Sequence, residues 1–264
     1  VDLGLQNKIV LITGGGVGMG AAITQACAAE GAIPVVINHD GDAIQANLDV
    51  LRRQNQRFGF IPMWLDSPES CKTAVDTAVA EFGRIDALVN HIGVNDKVGL
   101  EDGTPQRFLE SVTNNLWHYY SMAHYSLPWL KESRGSIVNT ASKVGYTGQG
   151  GTSGYAAAKG AQLALTREWA VDLAPYGIRV NAIVPSEVWT PAYKNWLDRF
   201  PNPEEKRALV SRNIPLGARM TEPKEIAAMV VFLLSDRSAH TTGQHLFIDG
   251  GYVHLDRAFT AARV

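Results

Sequence analysis

From Lys8 to Gly20 the chain reads KIVLITGGGVGMG, a short apolar, β-branched run followed by glycine at 14, 15, 16, 18 and 20. The next residues, with Ala21, Ala22, Ile23, Ala26 and Cys27, are small and apolar, and suit a helix over Met19 to Glu30 that stops at Gly31. The join from strand through glycine to helix restricts the fold more than any other stretch. Without Cβ atoms the backbone can turn sharply and approach a bound group closely. The helix start then offers free N–H groups and a partial positive charge to an anion. A buried strand feeding such a helix is the opening of a βαβ unit that binds the pyrophosphate of a dinucleotide. A P-loop is excluded, because the Gly-Lys-Ser/Thr ending is missing.

The same rhythm continues to the end of the chain. Strands are predicted at Ile33–Asn38, Phe58–Leu65, Ala87–His91, Gly135–Thr140, Arg179–Val184 and His245–Asp249. Helices are predicted at Ala43–Gln54, Ser70–Glu81, Thr104–Leu130, Thr152–Leu173 and Glu222–Leu234. Seven strands alternating with helices predict an α/β fold: a single doubly wound Rossmann domain over 1–264, its mostly parallel sheet covered by helices on both faces. Residues 190–213 break the rhythm. They are rich in Pro, Trp, Tyr and charge, and lie after the sixth strand where a short connection would do. A small lid is expected there.

Composition narrows the classes. The 264 residues are 45% hydrophobic, enough for a sizeable core without metal or disulfide support. The formal net charge of −2 disfavours binding nucleic acid by phosphate neutralisation. No apolar stretch approaches the length of a membrane span. The first residues, VDLGLQNKIVLIT, show no basic stretch followed by a cleavage site, and the two cysteines, Cys27 and Cys71, form no framework. A cytoplasmic protein is expected, with no metal site.

Near the end of the second strand lie Asn38, His39 and Asp40. An acidic side chain here can accept from the adenosine ribose hydroxyls. No Arg or Lys lies in this turn or in the glycine loop, so a 2′-phosphate would lack a cation and face Asp40. Like charges at near contact cost on the order of 3–4 kcal/mol at an effective dielectric of ~20. The turn therefore favours NAD over NADP, although His39 can offset this. Asp66, after the third strand, is placed either to reach the adenine amino group or to cap the next helix.

Tyr155 and Lys159 are four apart on a predicted helix, so they share a face. Ser142 follows the fifth strand and Asn115 lies on the preceding long helix. In a doubly wound sheet the loops at the carboxyl ends of strands converge on one crevice. Here those loops carry the glycines, Asn90 to Gly93, Ser142 and Pro185 to Thr190.

Over nearly its whole length the chain resembles the short-chain dehydrogenase/reductase family. The matching motifs are Thr13-Gly14-xxx-Gly18-x-Gly20, Asp66, Asn90-His91-Ile92-Gly93, Asn115, Ser142, Tyr155-xxx-Lys159 and Pro185-xxxx-Thr190. Two segments depart from the family pattern: Asn-Asn-Ala-Gly reads Asn90-His91-Ile92-Gly93, and Pro-Gly reads Pro185-Ser186. Both face the cofactor and can reshape the nicotinamide pocket. The resemblance implies a hydride-transferring enzyme acting on CH–OH with NAD or NADP. It implies a cofactor held by Gly14, Gly18 and Met19, by Asn38, Asp40 and Asp66, by Asn90 and Gly93, by Tyr155 and Lys159, and by Pro185, Val188 and Thr190. Tyr155 would be the base, Ser142 would hold the reacting oxygen, and Asn115 would hold a water that relays the proton outward. The chemistry agrees with the residue types: a tyrosine near its reference pKa of about 10 needs help to act as a base at neutral pH, and a nearby ammonium lowers a pKa by roughly 1–3 units.

The segments facing the pocket carry amides, carboxylates and aromatic rings: Asn95, Gln149, Glu187, Trp189 and Trp196, besides Ser142 and Tyr155. Such groups satisfy vicinal hydroxyls and pack on the C–H face of a sugar ring; several can equally be caps or core. Within the family, Ser153–Trp169, Pro185–Pro191, His240–Gly243 and the tail Gly251–Arg257 resemble bacterial L-fucose dehydrogenases. That resemblance implies oxidation of an anomeric carbon to a lactone, with L-fucose, L-galactose or D-arabinose as substrate. A 3-oxoacyl thioester reductase, another polyol or sugar-acid dehydrogenase of the family and a non-catalytic NAD-binding protein are the alternatives. A homotetramer is expected, with Trp117, Tyr119, Tyr120, Trp129 and Trp169 on the two long helices available for an interface or for the core.

Overall fold

The computed structural model describes residues 1–255. Asp256 and Arg257 of the tail motif lie outside the described residues. The strands are β1 (Ile9–Thr13), β2 (Ile33–Asn38), β3 (Gly59–Pro62), β4 (Ala87–Asn90), β5 (Ser136–Thr140), β6 (Arg179–Pro185) and β7 (His245–Ile248). They form one sheet in the order β3-β2-β1-β4-β5-β6-β7, with every neighbouring pair parallel. The helices are α1 (Gly18–Ala29), α2 (Asp42–Arg53), α3 (Pro68–Phe82), α4 (Pro105–Ser133), α5 (Ser153–Leu173), α6 (Pro191–Leu197), α7 (Pro203–Ser211) and α8 (Pro223–Leu234).

Alternation along the strands makes two cores. Ile9, Leu11, Val35 and Leu88 face α3, α4 and α5, while Val10, Ile12, Val89 and Val138 face α1 and α8. Each fully buried aliphatic side chain contributes roughly 1.5–3 kcal/mol. Burial on both faces is why these strands read as continuous apolar runs. Strand order reverses between β1 and β4, which pair with each other, and this opens a crevice beyond their carboxyl ends.

One sequence expectation changes, and two points left open by the sequence are filled in. β3 ends at Pro62 instead of Leu65; its last rung is Met63 N–H to Asn38 O at 2.9 Å, and a proline without an N–H is tolerated because β3 is an edge. Residues 190–213 hold two short helices, α6 and α7, each begun by a proline. Thr190 caps α6 by accepting from Tyr193 N–H at 3.2 Å. Tyr119 and Trp169 belong to the core between α4, α5 and the sheet, whereas Tyr120 is exposed. Among the described residues no helix is long and apolar enough to cross a membrane.

Candidate active site

The glycine loop sits at the mouth of the crevice and its geometry demands glycine. Gly14 and Gly18 have φ of +70° and +56°. A Cβ on Gly20 would stand 2.0 Å from Gly14 O, so α1 packs directly on the turn. Asn38 is buried beneath the loop, where its Oδ1 accepts from Gly16 N–H at 3.2 Å. Val17 caps α1 and offers no side-chain acceptor, so the N–H groups of the first turn, Gly18 and Met19 among them, are aimed at the crevice without a cap. Nothing acidic lies in that turn. These features fit a pyrophosphate.

Asp40 is exposed beyond β2. Its Oδ1 accepts from Gln45 Nε2 at 2.7 Å and from Gly41 N–H at 2.8 Å, and these bonds hold the carboxyl below its ordinary pKa. His39 stacks on Trp64 with ring centroids 4.3 Å apart. Asp66 does not cap α3. Ser67 does, in a reciprocal pair with Ser70, so the exposed Asp66 carboxylate is left for another partner.

At the end of β4, Asn90 points inward and donates to Asn139 Oδ1 at 3.1 Å, and His91 N–H donates to Thr13 Oγ1 at 2.9 Å. The strand ends carrying the two loops are thereby locked together. A Cβ on Gly93 would lie 3.1 Å from Asn115 Oδ1 and 3.3 Å from Lys159 Nζ, so a larger residue would press on both side chains. Both ring nitrogens of His91 are buried without a hydrogen-bond partner among the described residues. Burial, then the Lys159 charge, pushes its pKa down to about 4, and the ring is neutral.

Ser142 lies beside the Tyr155 phenol. Burial pushes that phenol up to about 12, and the neighbouring Ser142 hydroxyl opposes this. Lys159 Nζ stands 5.5 Å from the centre of the Tyr155 ring. It donates to Thr140 O at 2.6 Å and Gln162 Oε1 at 3.1 Å, and burial pushes its pKa down to about 7. Asn115 is buried in α4, with its side chain fully used: Oδ1 accepts from Val94 N–H at 2.7 Å, and Nδ2 donates to Val94 O and Ser111 O. Its main-chain carbonyl accepts from Gln162 Nε2 at 2.6 Å. Lys159 and Asn115 are thus joined by Gln162, which sequence reasoning missed.

Residues 15–253 match the family model described as enoyl-(acyl carrier protein) reductase. The chain belongs to the short-chain dehydrogenase/reductase family. L-fucose dehydrogenase of Bos taurus is 35% identical over 93% of this chain and 89% of that protein. The 3-oxoacyl-(acyl-carrier-protein) reductase of Thermotoga maritima is also 35% identical, over 94% of this chain and 99% of its own. The crystal structure of Cj0485 dehydrogenase superposes with a TM-score of 0.93 at 45% identity, covering 98% of both chains. As a short-chain dehydrogenase/reductase the protein is an NAD(P)-dependent oxidoreductase acting on CH–OH.

The dehydrogenase carries an unexpected charge cluster beside its serine. Lys143, the next residue, is ion-paired with Glu187 in the loop after β6. Tyr193 on α6 donates from its hydroxyl to Glu187 Oε2 at 2.7 Å, and Lys143 Nζ lies 4.3 Å from the centre of the Tyr252 ring. Glu187 is therefore not a free acceptor, as the sequence suggested, but part of a cluster that includes Lys143. Behind it Pro185 ends β6 and Val188 bridges to Thr221, while Thr190 packs 3.6 Å from where a Gly18 Cβ would be. Trp189 is stacked by the Arg207 guanidinium at 3.9 Å, and Trp196 is wedged between Tyr193 and Phe200. Both tryptophans hold the lid together. Gln149 is exposed in the loop before α5, and Asn95 is exposed with its Oδ1 accepting from Lys97 N–H at 3.2 Å.

Proposed function

We propose that this dehydrogenase uses NAD to oxidise the anomeric carbon of L-fucose, or of an aldose such as L-galactose or D-arabinose, to the lactone. The observation that supports the reading best is the Lys143–Glu187–Tyr193 cluster next to Ser142. An ion pair with a phenol presents donors and acceptors together, which suits neutral vicinal hydroxyls and poorly suits an acyl chain. The L-fucose dehydrogenase relative agrees with it. NAD is favoured over NADP because Asp40, held as a carboxylate, would meet a 2′-phosphate bound at the end of β2, with no cation in the turn.

In the reaction the sugar hydroxyl is held by Ser142 and gives its proton to Tyr155 Oη. When bound, oxidised NAD supplies the hydride acceptor and a positive charge. That charge and the Lys159 ammonium both favour the phenolate. An anomeric hydroxyl is more acidic than an ordinary alcohol, so a modestly activated Tyr155 suffices. With the cofactor bound, Lys159 would turn one N–H to the ribose hydroxyls, most readily the one in the long 3.5 Å contact with Tyr119 Oη. The enzyme is proposed to work as a homotetramer.

A second reading, reduction of 3-oxoacyl thioesters, is favoured by the Thermotoga relative at the same identity. A panel of L-fucose, L-galactose, D-arabinose, D-glucose and acetoacetyl thioester with either cofactor, followed by absorbance of the reduced cofactor, separates them. Turnover of the 6-deoxy or related aldoses with NAD is expected. Turnover of the thioester alone overturns the sugar reading, and binding of NAD with no turnover at all favours a non-catalytic role.

A further inference from the structure

Gln162 lies three residues after Lys159 on α5, one further turn along the stripe that carries Tyr155, and is fully buried. A primary amide in that position is costly unless satisfied, whereas an aliphatic side chain would simply pack. Its amide is used at both ends: Nε2 donates to Asn115 O on α4 at 2.6 Å, and Oε1 accepts from Lys159 Nζ at 3.1 Å. Lys159 has three N–H donors, and the acceptors around it are Thr140 O at 2.6 Å, Gln162 Oε1 and Tyr119 Oη at 3.5 Å. Gln162 thus supplies one of these three acceptors from a side chain whose other end is anchored to a different helix.

We infer that Gln162 is a positioning residue of the catalytic machinery: it ties the Lys159 ammonium to the main chain of α4 at Asn115 and keeps it aimed at Tyr155, a bridge made by protein atoms where a water would otherwise be needed. The inference does not depend on which alcohol the enzyme oxidises.

The electrostatics explain why such a bridge matters. The titratable groups facing Lys159 are Tyr155 on α5, Tyr119 and His118 on α4, and His91 after β4; β5 contributes only the Thr140 carbonyl. His91 and His118 are held down to about 4, and burial raises Tyr119 well above its usual range, so all three are neutral near pH 7. Among the described residues no carboxylate balances the ammonium. Its charge rests on carbonyl and hydroxyl dipoles, against a burial that already lowers it to about 7. Removing Gln162 Oε1 takes away one of those dipoles and leaves the neutral amine favoured. Replacing the amide by a carboxylate does the reverse.

The test is a pH titration of the whole protein, free of substrate and cofactor, with its lysines labelled with carbon-13. The ε-methylene resonance of Lys159 is assigned by its loss in Lys159→Met. Gln162→Met should move the Lys159 midpoint down by about one unit, and Gln162→Glu should move it up. In turnover assays the alkaline limb of kcat should shift the same way, to lower pH in Gln162→Met and to higher pH in Gln162→Glu. Rates lowered evenly across pH, with the Lys159 midpoint unchanged in both variants, would reduce Gln162 to a packing residue and overturn the inference. If Gln162→Met does not fold, the near-isosteric Gln162→Glu decides alone, and a midpoint that stays or falls overturns it.

Discussion

Lys143 and Glu187 are ion-paired across the active-site crevice, joining the residue after Ser142 to the loop after β6. The two side chains are only 10% and 14% exposed. Charges this enclosed are seldom retained for stability alone, because desolvation offsets much of their attraction. Their place beside the reacting centre makes recognition of substrate the better account.

Glu187→Ala should therefore damage two properties at once. It leaves the Lys143 ammonium and the Tyr193 hydroxyl without their shared acceptor, a loss of about 3–5 kcal/mol for a fully buried pair and less for this one. Thermal melting should fall by several degrees, and KM for the sugar should rise about tenfold, one lost hydrogen bond to a charged group. A double variant, Lys143→Met with Glu187→Leu, should regain stability but not sugar affinity. Wild-type KM in the double variant would remove the pair from the substrate site.

Much of this enzyme was legible before any coordinates. The βα alternation is encoded by buried β-branched runs and glycine stops, and the crevice by the loops that follow them. Tyr155 and Lys159 declare themselves by helical spacing. What stayed hidden depends on long-range contact. Lys143 reads as a surface lysine until β6 brings Glu187 to it. Asp66 looks like a cap until Ser67 and Ser70 pair. Tyr119 and Trp169 read equally as interface and core, and only the packing of α4 on α5 decides. Gln162 does carry a signal, since Tyr155, Lys159, Gln162 and Thr166 form one stripe, and polar residues buried along one stripe ask for partners.

Tyr155→Phe should abolish turnover while NAD binding survives. The phenyl ring keeps the packing and loses only the proton acceptor, and under the proposal the dinucleotide would be held mainly by the glycine loop and Lys159. Calorimetry and steady-state rates separate the two effects. Turnover above about a hundredth of wild type would mean that another group takes the proton, since a general base contributes about 10²–10⁴-fold.

Cofactor choice should turn on Asp40. Its carboxylate is exposed and held charged by Gln45 and Gly41, so under the proposal it would repel a 2′-phosphate throughout the neutral range. Asp40→Arg should reverse the ratio of kcat/KM for NAD and NADP by at least about tenfold, the effect of exchanging a like charge for an opposite one at an exposed site. An unchanged ratio would place the discrimination elsewhere, with His39 and Trp64 the nearest candidates.

The proposed tetramer should depend on α4 and α5. Val171 and Tyr120 are 75% and 56% exposed on these helices, and Tyr120 stacks with His124 at 5.8 Å. Such apolar area is typical of a covered face. Light scattering at micromolar concentration should give four times 28.6 kDa, and Val171→Arg should give a smaller assembly. A wild-type monomer rejects the idea.

Acid should destabilise the fold through its two buried histidines. His91 and His118 are pushed down to about 4 from an ordinary 6.5, in each case chiefly by burial. Below pH 6.5 the unfolded chain takes up protons that the folded chain refuses, so the contribution of these two rings falls as pH falls, from about 6.5 down to about 4, and is constant above that window; between about 10.5 and 7 the buried Lys159, lowered to about 7, adds a separate fall of the same sign. Each ring contributes a slope of about 1.4 kcal/mol per pH unit inside its window, so the pair gives nearly twice that. Glu225, held down to about 2 by Arg219, acts in a different range, losing its contribution only as pH drops below 4.5. Between pH 6.5 and 4.5 the decline therefore belongs chiefly to the histidines. Denaturant unfolding at several pH values should show it, and His91→Asn or His118→Gln should each remove about half the slope. A slope that survives both substitutions would show that neither ring is kept neutral in the fold.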